Sequence, residues 1–551
     1  MNAKDRHGWR AGAAAAYRTG LLSTSIVCAL AAAPAIAVLL SLATPMGETL
    51  RHVFATTAPA YVSGTIALCI GVGAVAGILG VAAAAFTALC DFPFRRALSI
   101  ALALPLAVPA YIAAYAYADL LGPFGAFAPV SRAMEHAGLP GIRSLPGAVF
   151  ILSVTLYPYA YLAARAAFAS RSAAILETSR TLGASPFRAA VKILIPASRP
   201  AIAGATALIM METAAEFGVA DYFGVPTLSV GIFRTWYNFG DLAAASRLAS
   251  ALFLFALLLV AFETLGRRGQ SADASRVTAA QISFNLNGPA RIAVPLFCFA
   301  LVGIGFLAPV AVIAAKLDVG AYAMRGLASA LQNSVLIAVA GGLATLTLAI
   351  ALAYIGRSAH AVVKGMIRFA TLGYAIPGAV IAIGVLGVFT FIGEATGLRI
   401  WAAAGPIALI YAYSVRFLTA GYNTISGGLS QVQTGLDEAA RTLGAGDAKI
   451  LSSVHAPLLR PSIAAAAIFV MVDIMKELPA TLILRDFNFE TLATRVYRLA
   501  GDERLIEASP DALLLIAVSA LPLLLIRYFS DRRRVLQIAS EPTASTMQSQ
   551  I

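Results

Sequence analysis

Four carboxylates lie where hydrocarbon is expected. Glu212 and Glu216 are four residues apart, on one face of any helix that holds them, inside the apolar run 202–220. A shift of 261 residues along the chain places them on Asp473 and Glu477, inside the run 462–482. With a rise of about 1.5 Å per residue, the first pair lies roughly 15–21 Å from the start of its run. Carboxylates are costly at that depth in a bilayer and need a purpose. Their oxygens suit a hard cation, so the four are candidates for lining a translocation path. They could equally cap a broken helix, pair with Lys476, or lie outside the bilayer if the run ends at Gly218.

Other chemistry is missing from the chain. No G-x-x-x-x-G-K-[ST] run is present to cradle nucleotide phosphates. His7, His52, His136, His360 and His455 are scattered, without an H-E-x-x-H, and Cys28, Cys69, Cys90 and Cys298 form no C-x-x-C pair. Neither a simple metalloenzyme nor a disulfide framework follows. His455 reads as a surface residue, and Arg416 as a side chain that snorkels to water from the end of its helix. Tyr157-Pro158-Tyr159 and Tyr411-Ala412-Tyr413 read as aromatic packing, with the option of lining a path.

The elements that position these residues follow from composition. Of 551 residues, 60% are hydrophobic and 12% charged, and the mean hydropathy is +0.82. No soluble core buries so much apolar surface, so the chain reads as an integral membrane protein. The net charge of +13 sits mainly in short segments between apolar runs, which fits positive-inside topology better than nucleic-acid binding. Lys4, Arg6, Arg10 and Arg18 precede a run from Leu21 to Ala43 that is too long for a secretory signal core and long enough for a first span.

Further apolar runs near 62–88, 98–120, 148–168, 202–220 and 247–265 complete one set of six. A second set lies near 292–315, 331–356, 367–392, 404–420, 462–482 and 511–528. The expected fold is all-α, with about twelve transmembrane helices in two parallel six-helix repeats: residues 1–266, a polar linker 267–291, and residues 292–551. With the amino end inside, the segments Ser170–Pro200 and Ser430–Pro461 are cytoplasmic, and so are both termini.

The 261-residue shift also matches residues 177–203 to 438–464 at 11 of 27 positions. Glu177 falls on Glu438, Arg180-Thr181-Leu182-Gly183-Ala184 on Arg441-Thr442-Leu443-Gly444-Ala445, Pro196 on Pro457 and Arg199-Pro200 on Arg460-Pro461. Both copies fall between the fourth and fifth spans of their halves, which makes the repeats parallel and related by an axis along the membrane normal. Each copy reads as helix, elbow, helix. Gly183 or Gly444 supplies the left-handed stop, Ser185-Pro186 or Asp447 the restart, and Pro196 or Pro457 an interruption before the next span. Matched charges, glycines and prolines in solvent point to a surface built for a partner in both halves.

E-T-S-R-T-L-G-A with Pro196, and E-A-A-R-T-L-G-A with Pro457, resemble the EAA loops of ATP-binding-cassette (ABC) importer permeases. The first copy departs in having Thr178-Ser179 in place of two alanines. Met211 to Leu228 and Met475 to Arg495 are similar to the ferric-iron members of that family.

The resemblance implies a type I permease fold in the bacterial inner membrane. It implies two ATPase subunits docked at Glu177, Arg180, Gly183 and at Glu438, Arg441, Gly444. A periplasmic substrate-binding protein would deliver the solute. ATP and Mg would be bound by the partner ATPases, with no cofactor on this chain and no enzymatic site of its own. Fused thiamine permeases share the two-half plan and stand as the nearest rival. An ion-driven secondary transporter also has twelve spans in two halves but has no use for the duplicated elbow, and a membrane enzyme lacks a clustered set of reactive groups.

Overall fold

Long apolar stretches satisfy their backbone groups internally as helices, the solution a bilayer imposes. The structure, a computed structural model, describes residues 3–43, 45, 47–181, 188, 190–267, 284–286, 288–318, 320, 324, 326–371, 373, 376–397 and 405–540. Most of the expected linker, Gly183 of the first elbow and the restart at Ser185-Pro186 lie outside the described residues. Among the described residues the chain is helical apart from a two-residue parallel pairing of Cys90–Asp91 with Phe284–Asn285, which ties the approach to the second half onto the first.

Nine helices among the described residues are long and apolar enough to cross a membrane, or eleven if two sharply bent pairs each count as one span. The 25-residue helix Gly405–Leu429 is long enough to be a further crossing but is less apolar, since it carries Arg416 and Asn423. The run 98–120 is not one straight rod. Arg95–Ala107 and Ala110–Leu121 meet at 92°, where Pro105 and Pro109 withhold backbone donors. The run 202–220 ends as a helix at Ala215, and a short helix Gly218–Tyr222 follows.

The repeat seen in letters reappears in backbone geometry. Ala58–Leu89 and Leu327–Ser358 are each 32-residue helices. The π-helical segments Ala190–Leu194 and Leu451–His455 lie in register under the 261-residue shift, each just before the matched proline. Past the breaks, the Leu228 amide donates to the Thr65 hydroxyl at 2.8 Å, and the Leu492 amide to the Ser334 hydroxyl at 2.7 Å.

The halves are interlocked. The helix Ala3–Leu40 of the first half packs on Gly378–Thr396 and Ala361–Ala370 of the second. In return Ala308–Ala315 packs on Ala110–Leu121. Within each half the tightest pairings are Ala58–Leu89 with Leu145–Thr181 and Leu327–Ser358 with Gly405–Leu429. The core between them is rich in alanine and glycine, which lets helices approach closely.

Candidate functional site

The four acidic residues come together around one cavity of about 170 Å³ at the junction of the halves, lined also by Arg416, Lys476, Tyr111, Thr155 and Tyr159. They do not converge on a point. Among the described residues, no three His, Cys, Asp or Glu side chains are close enough to share a metal ion. The four acids share the lining of one cavity as parts of a charged wall.

Each carboxylate has a different occupation. Ala215 ends its helix and Glu216 turns extended, with ψ 128°, so its carboxylate can accept from the Val219 amide at 3.0 Å and start the next short helix. Glu477 does the same in the second half with more bonds. It accepts from the amides of Ala480 and Thr481, each at 3.1 Å, and from the Thr481 hydroxyl at 3.1 Å. The Thr481 hydroxyl in turn meets Tyr413 Oη at 2.6 Å. Asp473 pairs with Lys476 at 2.9 Å. Glu212 also lines the cavity, where its charge acts on the Lys476 ammonium. Capping thus engages two of the four acids and the ion pair with Lys476 a third.

Arg416 does not snorkel. Its side chain is 16% exposed, its Nε lies 4.0 Å from Glu477 Oε1, and a neighbouring phenyl ring, Phe417, lies 5.7 Å from its Cζ. A buried carboxylate holds an arginine inside more strongly than distant water can draw it out. The pair needs Gly378 beside it, because a Cβ there would collide with both side chains. Tyr111, 4% exposed, also lines the cavity, and its hydroxyl has no hydrogen-bond partner. With all groups ionised, four acids face two bases and the wall favours a cation.

Next to the cavity, which Phe217 lines, lies an aromatic layer spanning both halves. Phe217 lies 5.5 Å from Tyr497, and Tyr115 lies 4.5 Å from Tyr222 in an edge-to-face arrangement. Asp221 of the first half accepts from Tyr497 of the second at 2.7 Å and pairs with Arg234 at 2.9 Å. Arg143 joins Tyr222 at 3.0 Å and Glu503 at 3.4 Å.

The elbow segments precede the helices that line the cavity. In the first half, Glu177 and Arg180 fall near the end of one continuous helix, Leu145–Thr181. In the second, Gly405–Leu429 ends and a separate helix, Thr434–Thr442, carries Glu438 and Arg441 on its exposed side. Gly444 follows with φ +81°, the left-handed stop expected there. Asp447 opens the next helix, which runs through the π segment and Pro457 to Met475.

His455 is not on the surface. It is 1% exposed and its Nε2 lies 2.7 Å from Asp437 Oδ1. Asp437 also accepts from Arg357 Nε at 2.7 Å, and Arg357 donates to the carbonyls of Leu429 and Val432 at 2.7 and 3.0 Å. Burial pushes the Asp437 carboxyl up, but the hydrogen bonds from Arg357 and His455 outweigh it and hold the group below its ordinary range. The signal for this cluster in sequence is weak: an acid and a histidine 18 residues apart with a turn between them.

Comparison with known proteins gives two matches of the chain to one family model, described as the inner membrane component of binding-protein-dependent transport systems, over residues 73–271 and 344–535. Together the matches cover well over half the chain. The "Fe(3+)-transport system permease protein FbpB 2" of Haemophilus influenzae is 26% identical over 394 residues, 70% of this chain and 76% of that protein. The "Ferric transport system permease protein FbpB" of Actinobacillus pleuropneumoniae is 25% identical over 59% of this chain, which spans about half of that protein's length, 50%. The "Probable ABC transporter permease protein y4fN" of Sinorhizobium fredii is 24% identical over 80% of each chain.

Proposed function

This chain belongs to the family of binding-protein-dependent transport system inner membrane components, and from that premise we propose that it is the fused, two-half permease of an ABC importer for ferric iron. It is a multi-pass inner-membrane protein. One observation carries the reading: in each half the helix that follows the repeated segment, with π segments in matching register, leads into the same cavity, whose lining holds four acids and two bases. The relatives named for ferric transport support the choice of solute.

In this reading both termini and both elbows face the cytoplasm, and a separate ATPase subunit docks at each elbow. Glu177, Arg180 and Gly183 serve one, and Glu438, Arg441 and Gly444 the other. These subunits bind and hydrolyse ATP with Mg. A periplasmic binding protein delivers the solute to the aromatic layer. When the ATPases close on ATP they draw the elbows together, the helices carry the motion inward as rigid bodies, and the layer of Phe217, Tyr222 and Tyr497 parts. Solute then enters a cavity whose charge attracts a cation without trapping it, as a conducting site requires. Asp473 and Glu477, already engaged by Lys476 and Arg416, keep that wall from binding too tightly.

The test is reconstitution of the chain with its ATPase and binding-protein partners, followed by uptake of labelled ferric iron beside labelled thiamine. ATP-dependent ferric uptake is expected. Uptake of thiamine alone would overturn the choice of solute.

A further inference from the structure

We propose that Asp437 and His455 are positioning residues that clamp the second elbow to the rod forming one wall of the cavity, so that elbow and wall move as one body. The inference rests on the ABC-permease reading for the origin of the movement, and on geometry for the clamp.

The clamp joins three elements. Asp437 is on the elbow helix Thr434–Thr442, His455 at the foot of the rod, and Arg357 at the end of Leu327–Ser358. Asp437 is 7% and His455 1% exposed, and two 2.7 Å contacts converge on one carboxylate. Charge-assisted bonds of that length, shielded from water, resist shear between the helices they join. Tyr354 packs edge-on against the His455 ring at 5.6 Å. From residue 447 the rod is helical without interruption to 475, where it presents Asp473 and leads into Lys476 and Glu477. The segment Leu451–Met475 runs as a single span.

The first half lacks every part of this device. Under the 261-residue shift, Asp437 falls on Leu176 and His455 on Leu194. When the two 32-residue helices are aligned from their starts, Arg357 falls on Ala88. The corresponding rod is bent by 64° between Val191–Ala197 and Arg199–Ala215. Displacement of the second elbow therefore reaches the cavity directly, whereas the first arm has a joint along the way.

Two measurements on the full chain with its ATPase and binding-protein partners test this. Spin labels at Thr434→Cys and Ala464→Cys, both exposed, report the distance between elbow and rod, while the chain's own four cysteines are buried. That distance is expected to stay the same with and without ATP, and to broaden and shift in the Asp437→Leu/His455→Leu variant. The variant copies the first half at both positions and leaves Arg357 its two carbonyl acceptors, and thermal unfolding measured beside it separates lost stability from lost coupling.

In the same variant, ATP hydrolysed per labelled ferric ion imported is expected to rise about tenfold, within the usual range of coupling energies. His455→Gln, which keeps a donor toward Asp437, is expected to restore most of the ratio. A native elbow-to-rod distance that changes with ATP would overturn the clamp. So would a variant whose uptake and hydrolysis fall together with an unchanged ratio, because that marks a merely structural role. If the native protein imports no ferric iron, the choice of solute fails while the distance measurement still decides the clamp.

Discussion

The two halves share a backbone plan but assign their charges differently. In both, a glutamate at the end of the fifth span caps the next short helix. Glu477 is held by two amides, a hydroxyl and a nearby arginine, whereas Glu216 caps a single amide within bonding distance. Asp473 is paired with Lys476 at 2.9 Å, whereas its counterpart Glu212 acts on the same ammonium from a greater distance. At the elbows, the second helix is separate and tied down by Asp437, whereas in the first half Leu145–Thr181 runs through without a break. Duplication preserved the breaks that shape a path. The partition of charge leaves the second half the more heavily bonded wall.

The largest expected effect strikes what the halves share. Charge reversal at both elbows, Glu177→Lys with Glu438→Lys, is expected to lower ATP-dependent uptake by about a hundredfold, in line with loss of interfacial charge pairs. The inserted protein should remain intact, with uptake in proteoliposomes as the readout. If either single reversal has the full effect, the elbows are unequal in docking as well as in anchoring.

The next prediction separates the capping glutamates. Glu477→Gln leaves Arg416 buried without its counter-charge and is expected to cost about 3 kcal/mol, at the low end for a broken buried pair. Glu216→Gln should cost about 1 kcal/mol, the scale of a lost cap. Thermal unfolding of the purified variants compares them, and equal losses would remove the distinction between the halves.

Glu212→Gln should leave the unfolding temperature in place while uptake falls about fivefold, on the order of 1 kcal/mol in the barrier. A stability loss with unchanged uptake would make Glu212 another packing residue.

The smallest effect concerns pH. Because the folded Asp437 carboxyl titrates below its ordinary value, its contribution to holding the elbow is complete above about pH 4 and fades as the pH falls through the lowered value. Amide exchange across residues 434–442, corrected for the intrinsic pH dependence, should be level down to about pH 4 and quicken below it.

Much of this organisation was legible in the letters, because apolar runs and a repeated elbow leave one-dimensional patterns. Matched Glu, Gly and Pro at a constant shift marked the repeated segments, and the same shift marked four acids that line one cavity. What spacing does not supply is a partner. Arg416 finds Glu477 only because Gly378, on a third helix, leaves room for both side chains, and His455 finds Asp437 only because the chain folds back at Gly444. The exchange of first helices between the halves leaves no periodic mark either. Both Arg416 and His455 were misplaced for one reason: a lone charged or polar residue in an apolar run looks for water until the structure reveals a buried counter-group.

The account stands on a separate engine moving this chain's walls through its elbows. The purified chain in proteoliposomes, offered labelled ferric iron under an imposed proton or sodium gradient, is to be compared with the same vesicles carrying the ATPase subunits, ATP and binding protein. Uptake is predicted only in the second case. Uptake by the chain alone, driven by the ion gradient, would contradict it.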